Sequence, residues 1–177
     1  MKEQLLRLAI EAGASKAEMI ISQQIVLSAE FREACQKNIC GRWGKCWMCP
    51  PDIGDIAQLM EKIGAYGNGI WYQSIHALED SFDIEGMIAA RRSHLRLSHQ
   101  LEGMIKPLLG QHLHLSCGGC GVCQRCARED HMPCRFPEQA MSSLEAYGID
   151  VYRTTVSTQL SYINGQNTVT YFGVILF

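Results

Sequence analysis

The sequence predicts a single α+β domain, residues 1–177, with a mainly antiparallel sheet, helices packed on one side of it, and two cysteine-rich metal-binding loops. Three observations carry this. Three segments repeat apolar residues at helical spacing. Three shorter runs are rich in β-branched and aromatic residues. Nine cysteines fall in two groups set among glycines and prolines, where regular elements end. A chain of 177 residues, 47% hydrophobic, is long enough to bury one sizeable core.

Residues 2–13 predict a first helix, with Leu5, Leu8 and Ala9 on one face and Gly13 as its stop. Met19 to Ile21 is an apolar strand candidate. The stretch from Cys35 to Pro51 is a loop, punctuated by Gly41, Gly44, Pro50 and Pro51. A helix is expected from about Asp52 to Ala65, with Ile56, Leu59, Met60 and Ile63 on its buried face and Asp52 or Asp55 at its cap. Ile70 to Leu78 predicts a strand. The long segment from Ile84 to Leu109 predicts a helix with Leu97, Leu101 and Met104 on its stripe and Pro107 near its end. His94 and His99 fall on its wet face. After the second cysteine group, residues 139–148 predict a short helix closed by Gly148. "IDVYRTTVS" and "TVTYFGVILF" predict two strands, joined through "INGQN" as a hairpin.

A net charge of −2 gives no bulk attraction to nucleic acid or to membrane. No apolar run reaches the ~18 residues of a membrane-spanning helix, and the first helix is too charged for a signal peptide. These features predict a cytoplasmic protein. In a reducing compartment, clustered cysteines are metal ligands more often than structural disulfides. No P-loop, G-x-S-x-G or G-x-G-x-x-G fingerprint is present, so nucleotide binding and nucleophilic hydrolysis have no support.

The second group runs Cys117-x2-Cys120-x2-Cys123-x2-Cys126, with Cys134 after a further seven residues. Successive C-x2-C steps wrap a chain around one centre, and Gly118, Gly119 and Gly121 let the backbone approach it. This spacing is more typical of a [4Fe–4S] cluster than of tetrahedral zinc, although any four of these thiolates also make a Zn–S4 set. A redox-active dithiol is the remaining chemistry. The ferredoxin pattern C-x2-C-x2-C-x3-C-P is matched in its first three cysteines only.

Beyond spacing, "GGCGVCQRC", "PCRFP" and "SSLEAYGIDV", together with "CQKNICGRWGKCWMCPP" upstream, resemble the two signatures of domain of unknown function 2284, a family labelled predicted metal-binding proteins. The resemblance covers most of the chain. It implies Cys120, Cys123, Cys126 and Cys134 as the first ligand set, and Cys35, Cys40 and Cys49 as a second. Cys46 and Cys117 are additional to the pattern. The family label implies metal binding and no particular reaction.

Arg42, Lys45, Arg125, Arg128 and Arg135 are the cations nearest the cysteines in sequence. They can neutralise an anionic cluster or dock an acidic partner. Trp43 and Trp47 are expected to shield the first loop from water. His112, His114 and His131 are weaker candidates for zinc ligation or proton transfer. The expected function is electron transfer, or redox support of a partner enzyme, through one or two clusters. A zinc-stabilised binding module and an enzyme with an open metal position are the alternatives.

Overall fold

The computed structural model describes all residues 1–177. Its helices are α1 (Lys2–Glu11), α2 (Glu30–Gln36), α3 (Ile56–Gly64), α4 (Ile84–Ile105) and α5 (Val151–Val156). Its strands are β1 (Lys16–Ile21), β2 (Asn68–Ala77), β3 (Leu113–Ser116), β4 (Ser142–Ser143) and β5 (Thr168–Leu176). The strands form one sheet in the order β1-β2-β5-β3-β4. Every pairing is antiparallel except the short β3–β4 ladder. No helix is long and apolar enough to cross a membrane.

Alternation along the central strands divides the core in two. Ile70, Tyr72 and Ile175 face α1 and α4, packing with Leu5, Ala9, Leu97, Leu101 and Ile105. Trp71, Phe172, Val174 and Leu176 face the other way, onto Leu59 and Ile63 of α3 and onto Leu144, Tyr147 and Ile149. Each fully buried side chain of this kind contributes about 1.5–3 kcal/mol. Helices therefore cover both faces, not one as the sequence predicts. The reason is that β2 and β5 are apolar on both sides, and each side needs a cover.

Other departures have local causes. Cys35 lies in α2 rather than in the loop. The first half of α4 leaves Ile84 and Ile88 exposed, so its apolar stripe reaches the core only from Ala90 onward. "IDVYRTTVS" is α5, not a strand. Asp150 caps it by accepting from the Arg153 N–H at 2.9 Å, and Thr155 donates its hydroxyl back to the Val151 carbonyl at 2.7 Å. The segment after it is then a helix-to-strand connection and not a hairpin. Residues 139–148 hold β4 and a 3-10 turn over Glu145–Tyr147 instead of an α-helix, although Gly148 does close the turn at φ 77°. At the cap of α3, Asp55 accepts from the Ala57 and Gln58 N–H groups.

His94 is the clearest correction on α4, being fully buried. It stacks on Tyr72 at 5.5 Å, and its Nδ1 meets Ser74 Oγ at 2.7 Å. A polar stripe on the inner face of α4 is tolerated because the sheet supplies partners for it. Tyr72 Oη meets both Ser98 Oγ and His114 Nε2, at 2.8 and 2.7 Å, and Ser98 Oγ meets Ser116 Oγ at 2.7 Å. His99 is half-buried.

Candidate metal centre

The two cysteine loops leave different parts of the fold. One joins α2 to α3, and the other joins β3 to β4. They meet through specific contacts. Trp47 Nε1 donates to the Met132 carbonyl at 2.9 Å, and Ser142 Oγ donates to the Met48 carbonyl at 2.9 Å. Arg128 Nε donates to Asp52 Oδ1 at 2.7 Å while its guanidinium lies 5.2 Å above the Trp47 ring. Both partners of this ion pair are largely buried, so it is screened less than a surface pair.

Where the loops meet there is a pocket lined by Cys46, Cys120, Cys123, Cys126 and Cys134. The rest of its lining is Trp47, Met48, Val122, Phe136 and Ala140. No histidine or carboxylate lines it, so the donor set is sulfur alone. The four cysteines of the first expected set are thus brought to one place. Cys46 joins them, although the sequence reading sets it apart as additional. A hydrogen bond from Cys49 holds the pKa of the Cys46 thiol below its ordinary value, against the upward pull of burial and with further donation from Met48 N–H and the Cys126 side chain. Cys49 is correspondingly pushed up. Burial also raises Cys120, partly offset by backbone donation from Val122 and Met141. Such N–H···S bonds are what favour a thiolate and tune a thiolate-bound metal.

Cys35, Cys40 and Cys49 line a second pocket of about 410 Å³, walled by Phe31, Ile39, Trp43 and Pro50 and containing Arg42 and Glu145. Burial raises the pKa of Glu145 and, more mildly opposed by Arg32, that of Cys35. The two loops touch here as well, since a Cβ on Gly119 would stand 3.2 Å from the Cys49 sulfur. Cys117 lines neither pocket. It is buried beside Ser116 and Arg91, and burial pushes its thiol up to about 12, so it is a neutral thiol. No three or more His, Cys, Asp or Glu side chains stand close enough together to clasp a metal ion.

The remaining candidates are placed elsewhere. His112 Nε2 and His114 Nδ1 both meet the Glu102 carboxylate, at 3.0 and 2.9 Å, away from either pocket. His114 is neutral because burial lowers its pKa, so its Nδ1–H donates to Glu102 and its Nε2 accepts from Tyr72. Glu102 feels burial upward, but the hydrogen bonds it accepts from His114 and His112 prevail and hold its carboxyl well below the usual range. His131 sits in the left-handed region at φ 55°, its Nδ1 3.2 Å from Arg128 Nη1. Arg125 is taken up by Glu129 and Asp130, and Arg135 donates to the Arg125 carbonyl. Lys45 is exposed.

An α+β protein whose two cysteine loops close over an all-sulfur, apolar pocket has the donor chemistry of a thiolate metal-binding protein. The chain belongs to the family described as predicted metal-binding protein (DUF2284), whose model matches residues 18–177. No curated protein and no solved structure matches it.

Proposed function

We propose that the chain binds an iron–sulfur cluster of the [4Fe–4S] type in the five-cysteine pocket and works in electron transfer or redox support of a partner enzyme. The observation that carries this reading is the pocket's lining: five thiols, apolar walls and no histidine or carboxylate. Cys120, Cys123, Cys126 and Cys134 are the ligands, and Cys46 stands beside them as a free thiol hydrogen-bonded to Cys49 and Cys126. The donor chemistry fits, since thiolates are the usual ligands of such clusters, but the pocket encloses only about 20 Å³ and no three of its thiols are close enough to clasp an ion, so binding requires the two loops to rearrange around the cluster. When bound, the cluster supplies a one-electron carrier.

The chain's own residues have three tasks there. Trp47, Phe136 and Met48 keep water from the sulfurs. Backbone N–H groups of Val122, Met141 and Met48 stabilise thiolate charge. The Arg128–Asp52 pair and the Trp47–Met132 bond hold the two loops in register. Cys35, Cys40 and Cys49 form a second ligand set that leaves one coordination position for a further group.

The test is anaerobic purification followed by assays of iron, acid-labile sulfide and zinc, with a visible spectrum. Iron and sulfide in equal amounts, with a brown chromophore bleached by dithionite, are expected. A colourless protein carrying stoichiometric zinc and no sulfide refutes the proposal.

A further inference from the structure

Beside the cysteine pocket, and sharing Val122 and Cys123 with it, lies an open groove of about 450 Å³. Arg91, Arg92 and Arg96 of α4 form one side, and Arg42 of the first cysteine loop reaches it from the other. His99, Gln124 and Gln139 complete its polar lining, and no carboxylate enters it. The chain's ion pairs engage Lys106, Arg125, Arg128 and Arg153 and the two histidines on Glu102, and none engages these four arginines. Most of the chain's 16 Lys and Arg are likewise unpaired, and what sets these four apart is that they share one concavity. Four guanidiniums collected in one concavity repel one another, and no carboxylate of the groove lining stands among them.

Arg91 is also seated rather than loose. Its Nη1 stands 3.0 Å from where a Cβ of Gly118 would be, and Gly118 has φ +63°. Only a glycine there lets the second cysteine loop turn and the guanidinium lie against its backbone. A cleft lined by one sign of charge concentrates counter-ions. Guanidinium forks match carboxylate and phosphate oxygens two at a time. The groove also falls in the roughly 300–1,000 Å³ range of small-molecule sites.

We infer that this groove binds a small organic molecule carrying two or more phosphate or carboxylate groups, held against the Cys123 wall of the cysteine pocket. The inference stands on charge and shape, and it holds whichever metal the pocket takes. Arg42 belongs to both this groove and the second cysteine pocket, so the bound anion lies next to both cysteine sets.

Titration calorimetry of the protein as purified, with pyrophosphate and with citrate at low salt, tests it. One-to-one binding of at least one probe is expected, weakened by salt. Arg92 and Arg96 are exposed, so Arg92→Gln and Arg96→Gln leave the fold intact by circular dichroism. Each is expected to weaken binding roughly tenfold, the scale of one charge-assisted contact. Arg153→Gln, which lies outside the groove, is expected to leave it unchanged. The inference is overturned if neither probe binds, if the double variant binds as the wild type does, or if only an acidic protein such as polyglutamate binds. Metal and sulfide assays on the same samples keep this outcome separate from that of the cluster proposal.

Discussion

Replacing His94 by glutamine is expected to flatten the acid stability of the fold. The ring is fully buried, its Nδ1 is 2.7 Å from Ser74 Oγ, and its Nε2 has no partner. A proton added to the ring would be a charge buried against the stacked Tyr72 ring, and the Phe172 backbone offsets only part of that cost. Burial therefore pushes the His94 pKa from 6.5 down to about 3. The sign follows directly. Between those values the unfolded chain takes up a proton at this residue and the native chain does not. The stability contribution is full above about pH 6.5 and is lost as pH falls toward 3. At about pH 4.5 the loss relative to neutral pH is about 2–3 kcal/mol, a large part of a typical domain's stability. Glutamine does not titrate, and its amide can keep a bond to Ser74. Burial lowers His76, His99 and His114 as well, but these act in both proteins and cancel in the comparison. Urea unfolding followed by tryptophan fluorescence at about pH 7, 5.5 and 4.5 measures the difference, with metal content checked in each sample. Wild-type stability should fall more steeply by about 2–3 kcal/mol. Parallel pH curves for the two proteins would refute the reasoning.

Three further outcomes are expected. Serine at Cys120, Cys123, Cys126 or Cys134 should abolish the bound metal, whereas Cys117→Ser should leave metal and spectrum unchanged, because its thiol lines neither pocket; elemental analysis of each variant decides this. Gly173→Ala should destabilise the protein by about 1–3 kcal/mol or more, read from the urea midpoint, since the new Cβ would collide with the ring and hydroxyl of the fully buried Tyr72 across the β2–β5 ladder. Asp150→Ala should cost about 1 kcal/mol through loss of the α5 cap, with faster amide exchange at Arg153 and little change elsewhere.

The elements with a clear period were legible from sequence. Leu5 and Ala9 on α1, Leu59 and Ile63 on α3, and Leu97 and Leu101 on α4 all sit in the core as their spacing requires. So do the alternating residues of β5. The element misread was α5, where Val151, Thr154, Thr155 and Val156 suggest a strand by composition. Its helix depends on one capping carboxylate and on hydroxyls that satisfy backbone groups, one of them Thr154 Oγ1, which accepts from Val26 N–H at 3.0 Å. That partner lies far away in the chain, and local propensity does not report it. His94 was misplaced for a related reason. A histidine at a helical position reads as polar until the opposite surface is known to offer Ser74 and Tyr72.

The candidate site divides the same way. The C-x2-C steps, the glycines among them and the family signature point to Cys120, Cys123, Cys126 and Cys134, and the fold brings these four to the lining of one pocket. The steps carry that information because a chain can wrap a centre only at certain short spacings, a purely local constraint. The arrival of Cys46 in the same pocket, the exclusion of Cys117 and the gathering of Arg42 with Arg91, Arg92 and Arg96 were decided by tertiary structure alone. Each depends on how the loop before α3 docks against the loop after β3 and against α4, and the contacts that fix this docking join residues too distant in sequence for any short pattern to record.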